Sequence, residues 1–127
     1  MFRILQIFDD TTPANQQRLE QARAILRAQM GGLDETDIDK ITEQLRNPLR
    51  YRFRASLFVA ENARGQVRGF ALLSYEPELR FCYLDYICTA RGETGGGIGA
   101  ALYERIREEA LELGAIGVFF ECLPDDP

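Results

Sequence analysis

The stretch Arg91-Gly92-Glu93-Thr94-Gly95-Gly96-Gly97-Ile98-Gly99 holds five glycines in nine residues, and it joins two segments of different period. Before it, Phe81 to Cys88 reads as a strand, with Phe81, Tyr83, Asp85 and Ile87 expected on one face and Cys82, Leu84, Tyr86 and Cys88 on the other. After it, Ile98, Leu102, Ile106, Ala110 and Leu113 recur at helical spacing, while Glu104, Arg107, Glu108 and Glu112 form the outer face. Glycine lets the backbone bend tightly and lets a ligand approach its amides. A helix start adds unpaired N–H groups and partial positive charge. A strand, a glycine turn and a helix in that order make an anion site suited to a phosphate or pyrophosphate. Its expected donors are the amides of Gly95, Gly97, Ile98, Gly99 and Ala100.

The rest of the chain supplies the frame. Phe2 to Phe8 reads as a strand, and Thr12-Pro13 as the cap and first position of a helix whose stripe is Leu19, Ala22, Ile25, Leu26 and Met30. Gly31-Gly32 ends that helix. A second helix opens at Asp34 or Thr36, carries Ile38, Ile41 and Leu45, and stops at Asn47-Pro48. Period two then takes over, with strands at Phe53 to Ala60 and Val67 to Tyr75 joined by the turn Asn62-Ala63-Arg64-Gly65. Glu76-Pro77-Glu78 is a second turn, Gly114 ends the last helix, and Ile116 to Cys122 is a closing strand. The order β-α-α-β-β-β-α-β predicts an α/β chain, a mixed α+β sheet with helices on its faces.

Composition removes several function classes. The net charge is −5, which argues against a general nucleic-acid binder. There is no histidine, and Cys82, Cys88 and Cys122 have no CxxC spacing, so no metal site is expected. No apolar run reaches the length of a membrane span, and the N-terminus does not read as a signal peptide, so the expected location is the cytoplasm. Catalysis must rest on carboxylates, tyrosine, cysteine, backbone groups or water.

Two familiar glycine turns do not fit. No Lys-Ser or Lys-Thr follows the glycines, as a P-loop requires, and Gly97-Ile98-Gly99 lacks the third glycine of a dinucleotide fingerprint. The segment instead resembles motif A of the GNAT superfamily of N-acetyltransferases, [QR]xxGx[GA]. Gly97-Ile98-Gly99-Ala100-Ala101-Leu102 is similar to its GIGxxL core, and Leu57-Phe58-Val59-Ala60-Glu61 with Gly69-Phe70-Ala71-Leu72-Leu73 is similar to the family's first hairpin. The resemblance covers nearly the whole chain, read as one acetyl-CoA-binding domain over 1–127, by itself or at the N-terminus of a longer protein. Strict spacing puts Thr94 where the family has Gln or Arg, and Arg91-Gly92 lies three residues early. Either Arg91 takes that role through a longer loop, or Thr94 does. The helix and two strands with which the family fold continues are not expected here. The open sheet edge that this leaves could pair with a second copy, as a homodimer.

The resemblance implies acetyl-CoA as co-substrate and direct transfer of its acetyl group to an amine. It adds Ile87, Cys88, Thr89, Arg91, Thr94 and Gly96 to the residues expected around the cofactor, and assigns thioester contacts to the backbone at Ile87 and Cys88. Asp85, a lone acid in an apolar strand, is the best-placed base, directly or through water; an acid at a solvated strand end or paired to an Arg is the competing reading. Glu61 and Glu121 are weaker candidates for the base, each read first as a strand-end surface acid. Tyr83, Tyr86 and Tyr103 are either cleft or packing residues. Acylation of Cys88 is not expected, because nothing in the sequence activates its thiol. Arg50, Arg52 and Arg54 share one strand face, read as a solvated edge or a contact for anions. The acidic run Asp34, Glu35, Asp37 and Asp39 reads as a helix start or as a border favouring a cationic acceptor. The alternative to an enzyme is a non-catalytic acyl-CoA-binding or regulatory module; a structural domain whose glycine turn binds nothing is the third reading.

Overall fold

Four antiparallel-paired strands and one parallel strand make the sheet, in the spatial order β1-β2-β3-β4-β5. The structure, a computed structural model, describes residues 2–8, 11–29, 54–90 and 97–119. Its elements are β1 (Phe2–Ile7), α1 (Pro13–Gln29), β2 (Arg54–Asn62), β3 (Val67–Glu76), β4 (Phe81–Thr89), α2 (Ile98–Leu113) and β5 (Gly117–Phe119). The helix expected from Asp34 or Thr36 to Leu45, and the residues Arg50, Arg52 and Glu121, lie outside the described residues. Thr12 caps α1 as its sequence implies: its Oγ1 accepts from the Asn15 N–H at 3.2 Å. α2 has the bounds read from its periodicity. Gly114, at φ 77°, closes it with the Gly114 N–H on the Leu111 carbonyl (3.1 Å) and the Ala115 N–H on the Ala110 carbonyl (2.9 Å), the paired bonds of a glycine-ended helix.

The helices cover opposite faces. Leu19, Ala22, Ile25 and Leu26 of α1 pack on Leu57, Val59, Phe70, Leu72 and Cys88. Ile98, Leu102, Ile106 and Ala110 of α2 pack on Phe58, Ala60, Ala71, Leu73, Cys82 and Leu84. Alternate residues of the central strands thus feed two cores, as period-two patterning requires. β4 departs from this rule. Leu72 faces Tyr86 but Leu73 faces Leu84, so Asp85 is an extra residue opposite no single partner on β3. A bulge of this kind reverses which face later residues take. Cys82 and Leu84 lie on the α2 face, whereas Tyr86 and Cys88 lie on the α1 face. The expectation that these four residues share a face is overturned.

Glu61 is also not the surface acid its strand-end position implied. It is buried, and its carboxylate accepts from Arg18 Nε at 2.8 Å and Arg3 Nη2 at 3.1 Å. These contacts tie α1, β1 and β2 together. The Arg18 hydrogen bond is the main cause of a carboxyl pKa below the ordinary 4.5, opposed by burial and aided by Arg3. Arg3 is 67% exposed, so the Arg18 contact carries most of the energy. A depressed carboxylate pKa stabilises the fold above the unfolded value, and that stability is lost as pH falls through the folded value.

α2 is docked through a glycine. A Cβ at Gly69 would lie 2.8 Å from Ile98 Cγ2, 3.1 Å from the Cys88 carbonyl oxygen and 3.3 Å from Leu102 Cδ1. The helix start therefore sits closer to β3 than any side chain there would allow.

Two outcomes are expected. Glu61→Gln lowers the unfolding free energy at pH 7 by about 2 kcal/mol, a buried-pair loss discounted for exposure, and flattens the acid limb of urea stability between pH 5 and pH 3; an unchanged limb rejects the assignment. Gly69→Ala destabilises by about 2 kcal/mol through overpacking, read as a lowered midpoint of thermal unfolding.

Candidate functional site

The bulge at Asp85 divides the expected site residues between the two faces of β4. The Ala90 N–H donates to the Arg68 carbonyl at 2.9 Å, and the register runs on through Cys88 opposite Phe70. In an antiparallel ladder, alternate residues direct both N–H and C=O to the same neighbour. The Cys88 amide therefore points to β3, while those of Ile87 and Thr89 point to the opposite edge. β5 pairs with β4 only at Phe81, Cys82 and Tyr83. Among the described residues, the edge of β4 from Leu84 to Thr89 has no strand beside it. The Ile87 side chain, opposite Ala71, is 38% exposed on the α2 face.

The start of α2 lies against that segment. Gly97 stands at the N-cap with φ 77°, and its carbonyl accepts the first helical bond, from the Ala101 N–H at 3.0 Å. No side chain caps the helix and its first turn holds no acid. The N–H groups of Ile98, Gly99 and Ala100 are the ones a helix leaves without intrahelical partners. Among the described residues no atom comes within 4 Å of a Cβ built on Gly97, and one on Gly99 would meet only Thr89 Cγ2 at 3.9 Å. Packing against the described residues therefore does not explain the glycine at 99, whose backbone is open to close approach. The buried Ile98 side chain anchors the helix against Gly69, so its share in an anion site is its amide. The structure thus brings Ile87, Thr89, Gly97, Ile98, Gly99 and Ala100 to one end of one face. Arg91, Thr94, Gly95 and Gly96 lie outside the described residues. The uncapped N–H groups and open glycine surface fit the pyrophosphate of a CoA ester.

On the other face, Asp85 is half-buried and accepts a short hydrogen bond from the Ser74 hydroxyl at Oδ2. Ser74 sits between Leu73 and Tyr75, both turned to the α2 face, so its own side chain points to the α1 side. Burial pushes the Asp85 carboxyl above its ordinary value, and the Ser74 bond partly opposes this. Tyr86 joins the same face because of the bulge. By strand alternation Tyr86 is expected opposite Asp85, and Ser74 is not among the expected site residues; its one signal is a lone serine in the run Phe70 to Tyr75. The Cys88 side chain lies in the α1-side core, where burial pushes its thiol up to about 11. A thiol so protonated is a poor nucleophile, which agrees with its exclusion as an acyl carrier. Tyr103 is 37% exposed on α2 and is not a core residue. Among the described residues no group of three or more Cys, Asp or Glu is arranged to hold a metal ion, and no helix is long and apolar enough to cross a membrane.

Known proteins share this architecture. A ribosomal-protein-alanine N-acetyltransferase from Brucella melitensis biovar Abortus 2308 superposes with a TM-score of 0.70 at 18% identity, over 98% of this chain and 82% of that one. GCN5 from Tetrahymena gives 0.79 at 15% identity, over 94% and 70%. The structure of AAC(6')-Iy with the bisubstrate analog CoA-S-monomethyl-acetylneamine gives 0.73 at 16% identity, over 99% and 82%. A search of curated proteins finds no match. The family model for GNAT acetyltransferases matches residues 7–127, nearly the whole sequence, and the chain belongs to the acetyltransferase (GNAT) family.

Proposed function

We propose that this acetyltransferase moves an acetyl group from acetyl-CoA directly to an amine, as one domain spanning 1–127 and acting in the cytoplasm. The observation that carries this is the meeting of an uncapped, glycine-started helix with the stretch of β4 at Ile87 that has no strand beside it among the described residues. The amides of Ile98, Gly99 and Ala100 hold the pyrophosphate, with Arg91, Thr94, Gly95 and Gly96 as the expected remainder of the turn. The Ile87 amide, aimed away from β3, donates to the thioester carbonyl; one such donor lowers the barrier by about 3 kcal/mol. The Cys88 amide points to β3 and is not a donor at that edge. The thioester supplies an activated acyl group with a thiolate leaving group.

Asp85 acts as the base that takes a proton from the acceptor ammonium, directly or through water, and so frees the amine lone pair. An elevated carboxyl pKa strengthens it for that task; the rate rises with pH as Asp85 ionises. An amine acceptor is supported by structural neighbours whose names specify a ribosomal-protein alanine, a CoA-neamine conjugate and the aminoglycoside sisomicin.

Acetyl-CoA at about 100 times its dissociation constant stabilises the fold by about 2.7 kcal/mol, a shift of several degrees in thermal unfolding. Gly99→Leu abolishes that shift yet leaves the ligand-free chain as stable or slightly more so, since glycine disfavours helix by about 1 kcal/mol. A shift that survives Gly99→Leu rejects this pyrophosphate site. Thiol release is then followed with an N-terminal alanine peptide, sisomicin and spermidine. Asp85→Asn lowers kcat/KM by about 100-fold or more without lowering the unfolding temperature, because burial disfavours the ionised carboxylate and its raised pKa costs stability as pH rises above the unfolded value. Binding without turnover of any amine identifies an acyl-CoA-binding module instead.

A further inference from the structure

The buried hydroxyl of Ser74 is the one side-chain partner of Asp85 among the described residues. It reaches across from β3 to a carboxylate that stands on β4 only because of the bulge. Asp85 has two oxygens, and Ser74 donates to Oδ2 alone; Oδ1 accepts no hydrogen bond from a described residue. A serine at this register is not needed to fill space, since its neighbours Leu73 and Tyr75 pack on the opposite core and the residues that share its strand face, Phe70 and Leu72, are apolar. A buried hydroxyl that donates to a carboxylate favours the ionised form and fixes the plane of the group.

We propose that Ser74 is a positioning residue for the reaction: from within the sheet it holds Oδ2 of Asp85 and leaves Oδ1 as the oxygen that receives the acceptor's proton. This rests on the assignment of Asp85 as base. In the step, an N–H bond of the acceptor ammonium breaks, an O–H bond forms at Oδ1, and the freed lone pair on nitrogen attacks the thioester carbonyl; a C–N bond forms, the C–S bond breaks, and the thiolate leaves as CoA thiol with the second proton lost from nitrogen. Ser74 keeps its proton throughout. A bulged carboxylate with no second anchor would rotate about its χ angles, and the order that Ser74 provides is part of the cost of bringing base and amine together.

Among the described residues, the titratable and charged groups around Asp85 are few. Glu76 on β3 and Tyr83 and Tyr86 on β4 lie on the same strand faces. α1 brings apolar Ile25 and Leu26 to this core, and its charged residues are engaged elsewhere, Arg18 with Glu61 and both Arg23 and Arg27 with Glu20. A change in Asp85 titration on altering Ser74 is therefore assignable to the lost hydrogen bond.

The test is a carbon-13 NMR titration of side-chain carboxyls in the full chain, with Asp85→Asn used to assign the Asp85 signal. Ser74→Ala is expected to raise the Asp85 midpoint by roughly 0.5 to 1 pH unit, the worth of about one net hydrogen bond, and Ser74→Thr, which keeps the hydroxyl, to restore it. With spermidine as acceptor, or with the slow hydrolysis of acetyl-CoA if spermidine is not used, the acid limb of the rate profile moves by the same amount, kcat falls, and KM for acetyl-CoA is unchanged. An Asp85 midpoint that does not move in a folded Ser74→Ala overturns the proposal, as does a moved midpoint with an unmoved rate profile. Full activity of Asp85→Asn sinks the base assignment itself, and the titration still reads separately whether Ser74 and Asp85 are coupled.

Discussion

Asp85 is the extra residue that β4 carries against β3, and its insertion turns the strand over. Up to Leu84, even-numbered side chains of β4 enter the α2-side core; beyond Asp85, Tyr86 and Cys88 enter the α1-side core. The same insertion sets Ile87 and Thr89 on the α2 face with their amides aimed at the open edge. An unbroken ladder would send both side chains to the other face, away from the helix start. The bulge therefore aligns backbone donors with α2 and leaves a carboxylate on the far face, in one strand and within a few residues.

Gly69 performs the matching task from β3. Its lack of a side chain lets Ile98 sit against the sheet, which brings the first turn of α2 down to the level of Thr89. Gly97 and Gly99 then serve different ends. The first stands in a left-handed conformation that other residues enter at a cost of about 1–2 kcal/mol, and the second leaves backbone uncovered where a side chain would fit. Gly99 has neither a positive φ nor a close contact that would require glycine among the described residues.

The charged groups fall into two kinds. Glu61 is held ionised by two guanidinium partners and serves the fold. Asp85 has no cationic partner among the described residues, has one neutral donor, and is pushed toward protonation by burial. A strand-end acid and a mid-strand acid thus took opposite characters because of what the neighbouring elements brought to them.

Much of this was legible along the chain. Thr12-Pro13 marked the start of α1, the apolar stripe from Ile98 to Leu113 marked α2, and Gly97 marked its uncapped start, because capping, periodicity and positive φ are properties of contiguous residues. A strand-to-helix order with glycines between was enough to single out motif A. What the sequence could not carry were relations set across strands. A bulge exists only relative to the partner that lacks the extra residue, so the shared face of Asp85 and Tyr86 had no signature in β4 itself. Likewise the Arg18–Glu61 pair joins residues 43 apart, and Ser74 meets Asp85 only once β3 and β4 are in register. Local chemistry determined which elements form and where the helix start leaves its N–H groups uncapped. Register and packing, which depend on contacts between distant segments, decided which side chains face the reaction.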